Sequence, residues 1–195
     1  MVQKTAYVIV KRAFDIVAAL VALVLLTVPL FVISLVIKCT SQGPIIHWSK
    51  RIGKNNTIFS MAKFRTMYMS TPQVATHLLD APAQYVTPIG KVLRKYSLDE
   101  LPQLYNILKG DISFVGPRPA LFNQDDLKEL RTQKDIHLLV PGLTGWAQIN
   151  GRDELPIPEK VSFDEEYFKR ASFVFDMKII CLTLVKVIRG DNVSH

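Results

Sequence analysis

This chain of 195 residues has little cysteine and lacks the short motifs that mark several common classes of protein. Its two cysteines, Cys39 and Cys181, are too few for a disulfide framework, and their apolar neighbours predict buried thiols. There is no His-Glu-x-x-His sequence and no cysteine or histidine pair at zinc-ligand spacing, which argues against a zinc site. The glycine-containing stretch over residues 141–152 is neither a Gly-x-Gly-x-x-Gly motif nor a P-loop, so it is not by itself a nucleotide-binding fingerprint.

Charge is absent from a long apolar run near the N-terminus. Residues 16–37 contain no charged residue, and 49% of the whole chain is hydrophobic. A straight helix of this length, at about 1.5 Å per residue, could just cross a hydrocarbon core of about 30 Å. The run is too long for a signal peptide, and no Ala-x-Ala-like cleavage site follows it. The run therefore predicts a helix that enters a membrane.

Pro29 and the flanking charges favour a helix that enters and leaves the membrane on one side. Proline removes a helical hydrogen bond and clashes with the carbonyl of Leu25, at a cost on the order of 3 kcal/mol in a regular helix. The hydroxyl of Thr27 is a candidate partner for the freed carbonyls. Positive residues mark the cytoplasmic side, and they flank both ends of the run: Lys4, Lys11 and Arg12 before it, and Lys38, Lys50, Arg51, Lys54, Lys63 and Arg65 after it. We expect a helix-break-helix hairpin, with a proline-kinked span and a buried helix of a soluble protein as alternatives.

Basic residues predominate, which indicates anionic partners. The formal net charge is +7, which suits nucleic acid, phosphorylated small molecules or an acidic membrane surface. A second apolar segment, Phe173–Arg189, carries Lys178, Lys186 and Arg189 along one edge of a predicted helix. Such a helix is typical of the membrane interface, but a core helix with one solvated stripe has the same pattern. Both interpretations stay open on sequence alone.

Between the two apolar segments the sequence predicts a mixed domain. Residues 45–48 and 57–61 are typical of short strands around a basic turn at residues 51–56. Residues 69–88 predict a loop with at most one short helix, and residues 123–134 predict an exposed, charged helix. The expected fold is mixed α/β and mostly helical. It has a membrane hairpin over residues 1–40 and a second part over residues 41–195, integrated into one unit.

Two adjacent acids, Asp99 and Glu100, stand where a helix is predicted to begin. Ser97 and Glu100 match a capping box, in which Glu100 would only cap the helix. Pro102 is best placed in a first helical turn, so the helix should begin near the two acids and hold both at its positive end. Adjacent acids there can hold a magnesium ion and leave one carboxylate free to attack phosphorus. Spacing alone does not choose between these two roles.

Arg118 lies between two prolines, Pro117 and Pro119. The stiff backbone on both sides presents the guanidinium with little backbone entropy to lose, and arginine forks suit phosphate oxygens. A solvated loop arginine would have the same sequence. The stretch over residues 141–152 contains three glycines, which allow tight turns or a close approach to a ligand.

Taken together, these segments resemble the bacterial sugar transferase family, the monotopic phosphoglycosyl transferases. The resemblance covers nearly the whole chain, and several long motifs in the family's order are more specific than any one alone. They are Lys11-Arg12-Ala13-Phe14-Asp15, Arg51-Ile52-Gly53, Lys63-Phe64-Arg65-Thr66-Met67, Ser97-Leu98-Asp99-Glu100-Leu101-Pro102-Gln103-Leu104, Lys109-Gly110-Asp111, Gly116-Pro117-Arg118-Pro119, the stretch over residues 141–152, and Asp164, Tyr167 and Asp176. Where the family usually has an adjacent Ser-Pro pair at its hairpin break, this chain has Thr27-Val28-Pro29.

The resemblance implies an enzyme of the bacterial inner membrane with its catalytic domain on the cytoplasmic face. In the implied ping-pong reaction, Asp99 attacks the β-phosphate of a UDP-sugar, releases UMP and carries the phosphosugar. Undecaprenyl phosphate then accepts that group. Glu100 would hold Mg²⁺, the one cofactor implied, which neutralises the diphosphate charge. Anionic membrane lipid is a further partner, nucleic acid is not expected, and a homodimer is left open.

The same resemblance implies roles for other residues. Arg94 and Arg118 would bind phosphate groups, as would Lys63 and Arg65, which are expected to face the cleft. Asp164 would lie in or near the active site, with Arg152 as a further basic residue of the cleft. Two other functions stay open: a non-catalytic membrane adaptor, expected to have lost an acid or Arg118, and a magnesium-dependent diphosphatase with the same site.

Overall fold

The computed structural model describes residues 5–71, 82–151 and 155–189, which are mostly helical. The helices are α1 (Thr5–Thr40), α2 (Pro88–Lys95), α3 (Gln103–Lys109), α4 (Asp125–Gln133), α5 (Trp146–Asn150), α6 (Ile157–Arg170) and α7 (Phe173–Arg189). The strands are β1 (Ile46–Ile52), β2 (Ile58–Phe64), β3 (Ser113–Val115) and β4 (Gly142–Thr144). Short 3-10 turns lie at Lys54–Asn56, Pro82–Gln84, Leu98–Glu100 and Ile136–Leu138. The predicted mixed, mostly helical fold is confirmed.

The apolar N-terminal run forms helix α1, whose 36 residues extend about 54 Å. The helix is long and apolar enough to cross or enter a membrane. One side of it is exposed and apolar: Val24, Leu25 and Phe31 are 74%, 73% and 68% exposed. A contiguous exposed apolar surface of this kind is typical of a helix that contacts a membrane or another protein.

The opposite side of α1 packs against the remainder of the protein along both halves of the helix. In the first half, Ala19 is fully buried in a cluster with Leu104 of α3. In the second half, Ile37 is fully buried in a cluster with Phe64 of β2 and Leu93 of α2. Because both halves contribute buried residues, α1 is part of the hydrophobic core as well as a helix that could enter a membrane.

The expected division of α1 into two helices is not confirmed. Helix α1 continues through Pro29. The hydroxyl of Thr27 donates to the carbonyl of Leu23 at 2.7 Å, one turn earlier in the helix. Thr27, the candidate partner for the carbonyls that Pro29 frees, thus bonds to Leu23 rather than to Leu25. Threonine in a helix commonly bonds back four residues in this way.

A buried polar cluster joins the start of α1 to helices α6 and α7. The ammonium of Lys11 lies 2.6 Å from Oδ2 of Asp176, and the hydroxyl of Tyr7 donates to the same oxygen at 2.8 Å. The hydroxyl of Tyr167 donates to the other carboxylate oxygen of Asp176 at 2.8 Å. Lys11 was predicted as part of a basic flank at the membrane, and its charge is instead neutralised inside the protein.

Arg12 and Asp15 also bind protein groups rather than solvent. Arg12 donates two hydrogen bonds of 2.6 Å to main-chain carbonyls at the C-terminal end of α3, where a cation is electrostatically favoured. Asp15 is buried and accepts hydrogen bonds from the hydroxyl of Ser113 and the backbone amide of Phe114, both at 3.1 Å. The polar residues of the first motif therefore attach α1 to α3 and β3.

The predicted strands form an antiparallel hairpin, β1 and β2, with Ile46 opposite Phe64 and Ile52 opposite Ile58. Both strands reach further towards the C-terminus than expected: β1 continues to Ile52, into the predicted basic turn, and β2 continues to Phe64. A second, parallel pair consists of β3 and β4, with Val115 opposite Thr144. Strand β3 ends two residues before Pro117, so the β3–β4 pair fixes the position of the backbone that leads to Arg118.

Helix α7 has the predicted bounds, with one buried side and one exposed side. Phe175 and Ile179 are buried, whereas Val174 is 79% exposed. The predicted basic edge is partly used within the protein, since Lys186 donates to a main-chain carbonyl of α5 and Lys178 lies 6.0 Å from the centre of a tryptophan ring. The side chain of Arg189 lies outside the described residues.

The prediction of buried thiols is wrong, since Cys39 and Cys181 are both exposed. They stand on α1 and α7, whose outward sides also expose large apolar residues such as Phe31 and Leu184. Apolar sequence neighbours indicate burial only when protein surrounds the helix, and one side of each of these helices faces outward.

Candidate active site

Asp99 and Glu100 lie in the 3-10 turn Leu98–Glu100, between α2 and α3. Ser97, at the start of this turn, has a left-handed backbone with φ of 55°, and its side chain makes no capping bond. A left-handed serine costs on the order of 1 kcal/mol, so the surrounding fold must hold the turn in this form. The predicted capping box is therefore wrong. Helix α3 begins only at Gln103, so the acids precede it instead of forming its first turn.

Glu100 is the centre of a cluster of cations. The ammonium of Lys63, on β2, lies 2.7 Å from Oε1 of Glu100, and Nη2 of Arg118 lies 3.1 Å from the same oxygen. Burial acts to raise the pKa of Glu100, but Lys63 and Arg118 outweigh it and hold that pKa well below its usual range. Glu100 is therefore an ionised carboxylate that organises two cations.

Asp99 has the opposite electrostatic balance. Burial raises the pKa of Asp99; Lys63 opposes this shift, the charge of Glu100 adds to it, and Arg94 opposes it. The environment thus pushes the pKa values of two adjacent carboxylates apart, which is typical of acids with different chemical roles. Of the two acids, Asp99 is therefore the one that is protonated at the higher pH.

Arg94 lies at the edge of the same cluster. Its Nε donates to the hydroxyl of Thr66 at 3.0 Å, which fixes the direction of the guanidinium. Burial lowers the pKa of Arg94 and Asp99 opposes that shift, although an arginine stays protonated at neutral pH. The fold therefore brings three predicted phosphate ligands, Lys63, Arg94 and Arg118, around the two acids.

Arg65 does not join this cluster. It is 5% exposed, and its guanidinium donates to the carbonyls of Ser41 and Gln42 and to the hydroxyl of Ser41. Residues 63 and 65 would share one face of an extended strand, but β2 ends at Phe64, one residue before Arg65. Arg65 instead secures the end of α1, so its position does not support the predicted cleft role. Arg152 lies outside the described residues.

Asp164 lies behind the cluster and reaches it through an arginine that the sequence analysis missed. Oδ2 of Asp164, on α6, accepts from Nε and Nη2 of Arg131 at 3.0 and 2.6 Å. Nη1 of Arg131 donates to the carbonyl oxygen of Arg118 at 2.8 Å. Burial raises the pKa of Asp164, and the charge of Arg131 opposes this shift.

Arg131 was predicted to lie on an exposed helix. It is 8% exposed, and Leu127, one turn earlier in α4, is 3% exposed. An apolar residue followed four positions later by arginine marks one face of a helix, so this spacing could have indicated an inward-facing cation. The abundance of charge elsewhere in α4 hid that signal.

The carboxylates of Asp99 and Glu100 suit a magnesium ion only when substrate phosphates supply further ligands. Within residues 5–71, 82–151 and 155–189, no group of three or more His, Cys, Asp or Glu side chains could hold a metal alone. Mg²⁺ commonly binds through one or two carboxylates and completes its shell with substrate phosphates and water. Asp99 and Glu100 supply that number of carboxylates, next to cations suited to a diphosphate.

Both a family model and individual relatives match most of the length of this chain. A family model described as bacterial sugar transferase matches residues 6–190. The chain is 39% identical over 189 residues to the uncharacterized sugar transferase EpsL of Bacillus subtilis, covering 96% of this chain and 91% of that protein. It is 38% identical over 194 residues to the exopolysaccharide production protein ExoY of Sinorhizobium fredii, covering 91% and 84%.

A longer relative is the UDP-glucose:undecaprenyl-phosphate glucose-1-phosphate transferase of Escherichia coli. The chain is 41% identical to it over 186 residues, which are 91% of this chain and 40% of that protein. The chain therefore spans less than half of this relative. The residues matched by the family model, 6–190, include the two acids and the cations around them.

Proposed function

This chain belongs to the bacterial sugar transferase family, and from that premise we propose that it transfers a sugar-1-phosphate from a UDP-sugar to undecaprenyl phosphate in the bacterial inner membrane. The name of the Escherichia coli relative supports these two substrates, since it states the same donor nucleotide and the same acceptor. The observation that carries the proposal is the pair of adjacent carboxylates with opposed pKa shifts beside three cations.

The proposed reaction has two steps on one phosphorus atom. A carboxylate oxygen of Asp99 attacks the β-phosphorus of the UDP-sugar. The bond from that phosphorus to the bridging oxygen breaks, and its electron pair leaves with UMP. A phosphate oxygen of undecaprenyl phosphate then attacks the same phosphorus, which releases the carboxylate and gives a lipid diphosphate sugar. Splitting one displacement into two is the advantage of a covalent intermediate.

The remaining residues of the cluster bind and orient charge. Both substrates are phosphates, so catalysis depends mainly on positioning and on neutralising negative charge. Lys63 and Arg118 are held by Glu100, and Arg94 is held by Thr66, so all three cations are pre-positioned for phosphate oxygens. Mg²⁺, held by Glu100 and the substrate phosphates, would add positive charge where the leaving UMP develops negative charge.

The function is tested by the dependence of UMP release on the lipid acceptor. With a UDP-sugar, magnesium and undecaprenyl phosphate, UMP release should continue until substrate is consumed. Without the lipid, UMP should appear only up to the amount of enzyme, because the phosphosugar stays on Asp99. Sustained release without lipid would instead establish a diphosphatase, and no release under either condition would favour a non-catalytic adaptor. A panel of UDP-sugars provides the donor.

Both ends of α1 lie on the cytoplasmic face in the proposed topology. What supports this placement is that Lys11, near the start of α1, and Ile37, near its end, both contact the same catalytic domain. A helix that spans the bilayer would carry one of these residues to the other side and break its contacts. A re-entrant helix keeps both sets of contacts and exposes its apolar side to lipid.

Single cysteines test this topology. In a background in which Cys39 and Cys181 are serine, Thr5→Cys and Gln42→Cys should each be shielded from a membrane-impermeant thiol reagent in intact cells. Both should react after the cells are permeabilised, which serves as the control for accessibility. Labelling of one position but not the other in intact cells would establish a transmembrane span and refute the re-entrant helix.

A further inference from the structure

We propose that Arg131 is a positioning residue that fixes the main chain at Arg118 and so directs the Arg118 guanidinium towards Glu100 and the substrate phosphate. The proposal rests on the proposed function, because it concerns the same site. It assigns a role to a residue that no sequence motif indicated.

The geometry of Arg131 suits this role. Two of its nitrogens, Nε and Nη2, bind the same carboxylate oxygen of Asp164, at 3.0 and 2.6 Å. The third nitrogen, Nη1, points to the other side and donates to the carbonyl oxygen of Arg118 at 2.8 Å. A guanidinium is planar and rigid, so fixing one edge on Asp164 also fixes the direction of the bond to Arg118.

Burial restricts the movement of the Arg131 and Asp164 side chains. Arg131 is 8% exposed and Asp164 is 1% exposed. A buried charge without its partner is costly, so neither side chain can leave the pair easily. The bond from Arg131 to the main chain of Arg118 is therefore made in a site where water cannot readily replace it.

The segment around Arg118 has few main-chain hydrogen-bond donors, because two of its residues are prolines. Pro117 and Pro119 have no N–H, so they cannot donate main-chain hydrogen bonds. On the N-terminal side, the carbonyl of Pro117 accepts from the amide of Gly142 at 2.9 Å, which attaches the segment to β4. At Arg118 itself, Arg131 supplies a hydrogen bond to the carbonyl. A rotation of that peptide would swing the side chain whose Nη2 lies 3.1 Å from Glu100.

This connection also explains how Asp164 can affect the reaction from a buried position. Asp164 orients Arg131, and Arg131 orients Arg118. Arg118, in turn, shares the carboxylate oxygen of Glu100 with Lys63. The three steps link α6, α4 and the Pro117–Pro119 segment to the acid pair.

The test is a double-mutant cycle between Arg131→Lys and Arg118→Lys. Lysine at position 131 keeps the charge beside Asp164 but lacks the rigid fork, so we expect kcat for transfer to fall about tenfold or more, and by a larger factor than KM for the UDP-sugar rises. The double variant should be hardly slower than Arg118→Lys alone, since a misdirected lysine at position 118 has little positioning left to lose. The matched control is Lys134→Met, which breaks a surface ion pair between Lys134, just after α4, and Glu165 of α6 and should leave kcat unchanged.

Several outcomes would overturn the proposal. One is a kcat for Arg131→Lys within about twofold of wild type; another is a double variant whose loss equals the product of the two single losses.

If Arg131→Lys lowers the unfolding temperature by more than about 4 °C, Asp164→Asn replaces it in the cycle. That variant keeps an acceptor oxygen, and additive losses with Arg118→Lys would equally refute the proposal. Absence of transfer by the wild-type protein would refute the proposed function itself, and active wild type with an unchanged Arg131→Lys would refute only the positioning role.

Discussion

Asp99→Asn should abolish sugar-1-phosphate transfer, with a fall of about a thousandfold or more. An amide is a poor nucleophile toward phosphorus, and no other carboxylate of the site combines the same position with a raised pKa. Asparagine is nearly the same size as aspartate, so the turn Leu98–Glu100 should keep its shape. The loss should therefore be chemical and should leave the unfolding temperature close to that of wild type.

The measurement that checks this prediction is a single-turnover experiment without lipid. Wild-type enzyme, magnesium and a UDP-sugar labelled in the sugar should give a burst of UMP bounded by the enzyme present. The sugar label should stay on a peptide that contains Asp99. Asp99→Asn should show neither burst nor label, whereas the control Asp125→Asn, on the exposed start of α4, should show both. Transfer by Asp99→Asn above about a tenth of wild type would rule out the nucleophile role. The nucleophile would then be Glu100, or the lipid phosphate would attack the UDP-sugar directly.

Glu100→Gln should produce the second largest loss, on the order of a hundredfold to a thousandfold in kcat. Glutamine removes the negative charge that holds Lys63 and Arg118 within 2.7 and 3.1 Å of one oxygen. It also removes the carboxylate proposed to hold magnesium, so raising the magnesium concentration should restore part of the activity. A control on the exposed part of α6, Glu159→Gln, should keep the wild-type magnesium dependence. A Glu100→Gln variant with that same dependence would contradict a metal-binding role.

The same variant should shift the pH dependence of the first step. The charge of Glu100 contributes to the raised pKa of Asp99, so removing that charge should lower the pKa of Asp99. Asp99 would then remain ionised at lower pH, and the acid limb of the UMP burst rate should move to lower pH than in wild type. The acids act as one unit, so Asp99→Asn with Glu100→Gln should be hardly slower than Asp99→Asn alone.

Local patterns predicted most of the secondary structure. Residues 16–37 are apolar and uncharged, and they form the central part of α1; residues 45–61 contain alternating and β-branched residues around a turn, and they form the β1–β2 hairpin. Helix α7 has the predicted bounds for the same reason. These patterns succeed because hydrogen bonding and side-chain periodicity within an element depend mainly on residues close in sequence.

Residues of the candidate site were predictable where they stand next to one another in a short sequence motif. Asp99 and Glu100 are adjacent in sequence, and the two prolines around Arg118 restrict its backbone regardless of context. Which acid is more easily protonated was not predictable, because the pKa shifts arise from burial and from Lys63, Arg94 and Arg118, which come from other segments. The capping-box interpretation of Glu100 failed for that reason: its carboxylate meets cations 37 and 18 positions away.

The sequence by itself determined the long apolar helix, the acid pair and most of the cations that surround the pair. Only the tertiary structure decided which charges face one another. It placed Arg65 at the end of α1 and brought Arg131 from a charged helix to Asp164 and Arg118. It also turned Lys11 inward to Asp176 and left Cys39 exposed. The physical reason is that burial and ion pairing depend on which elements pack together, and residues distant in sequence determine that packing.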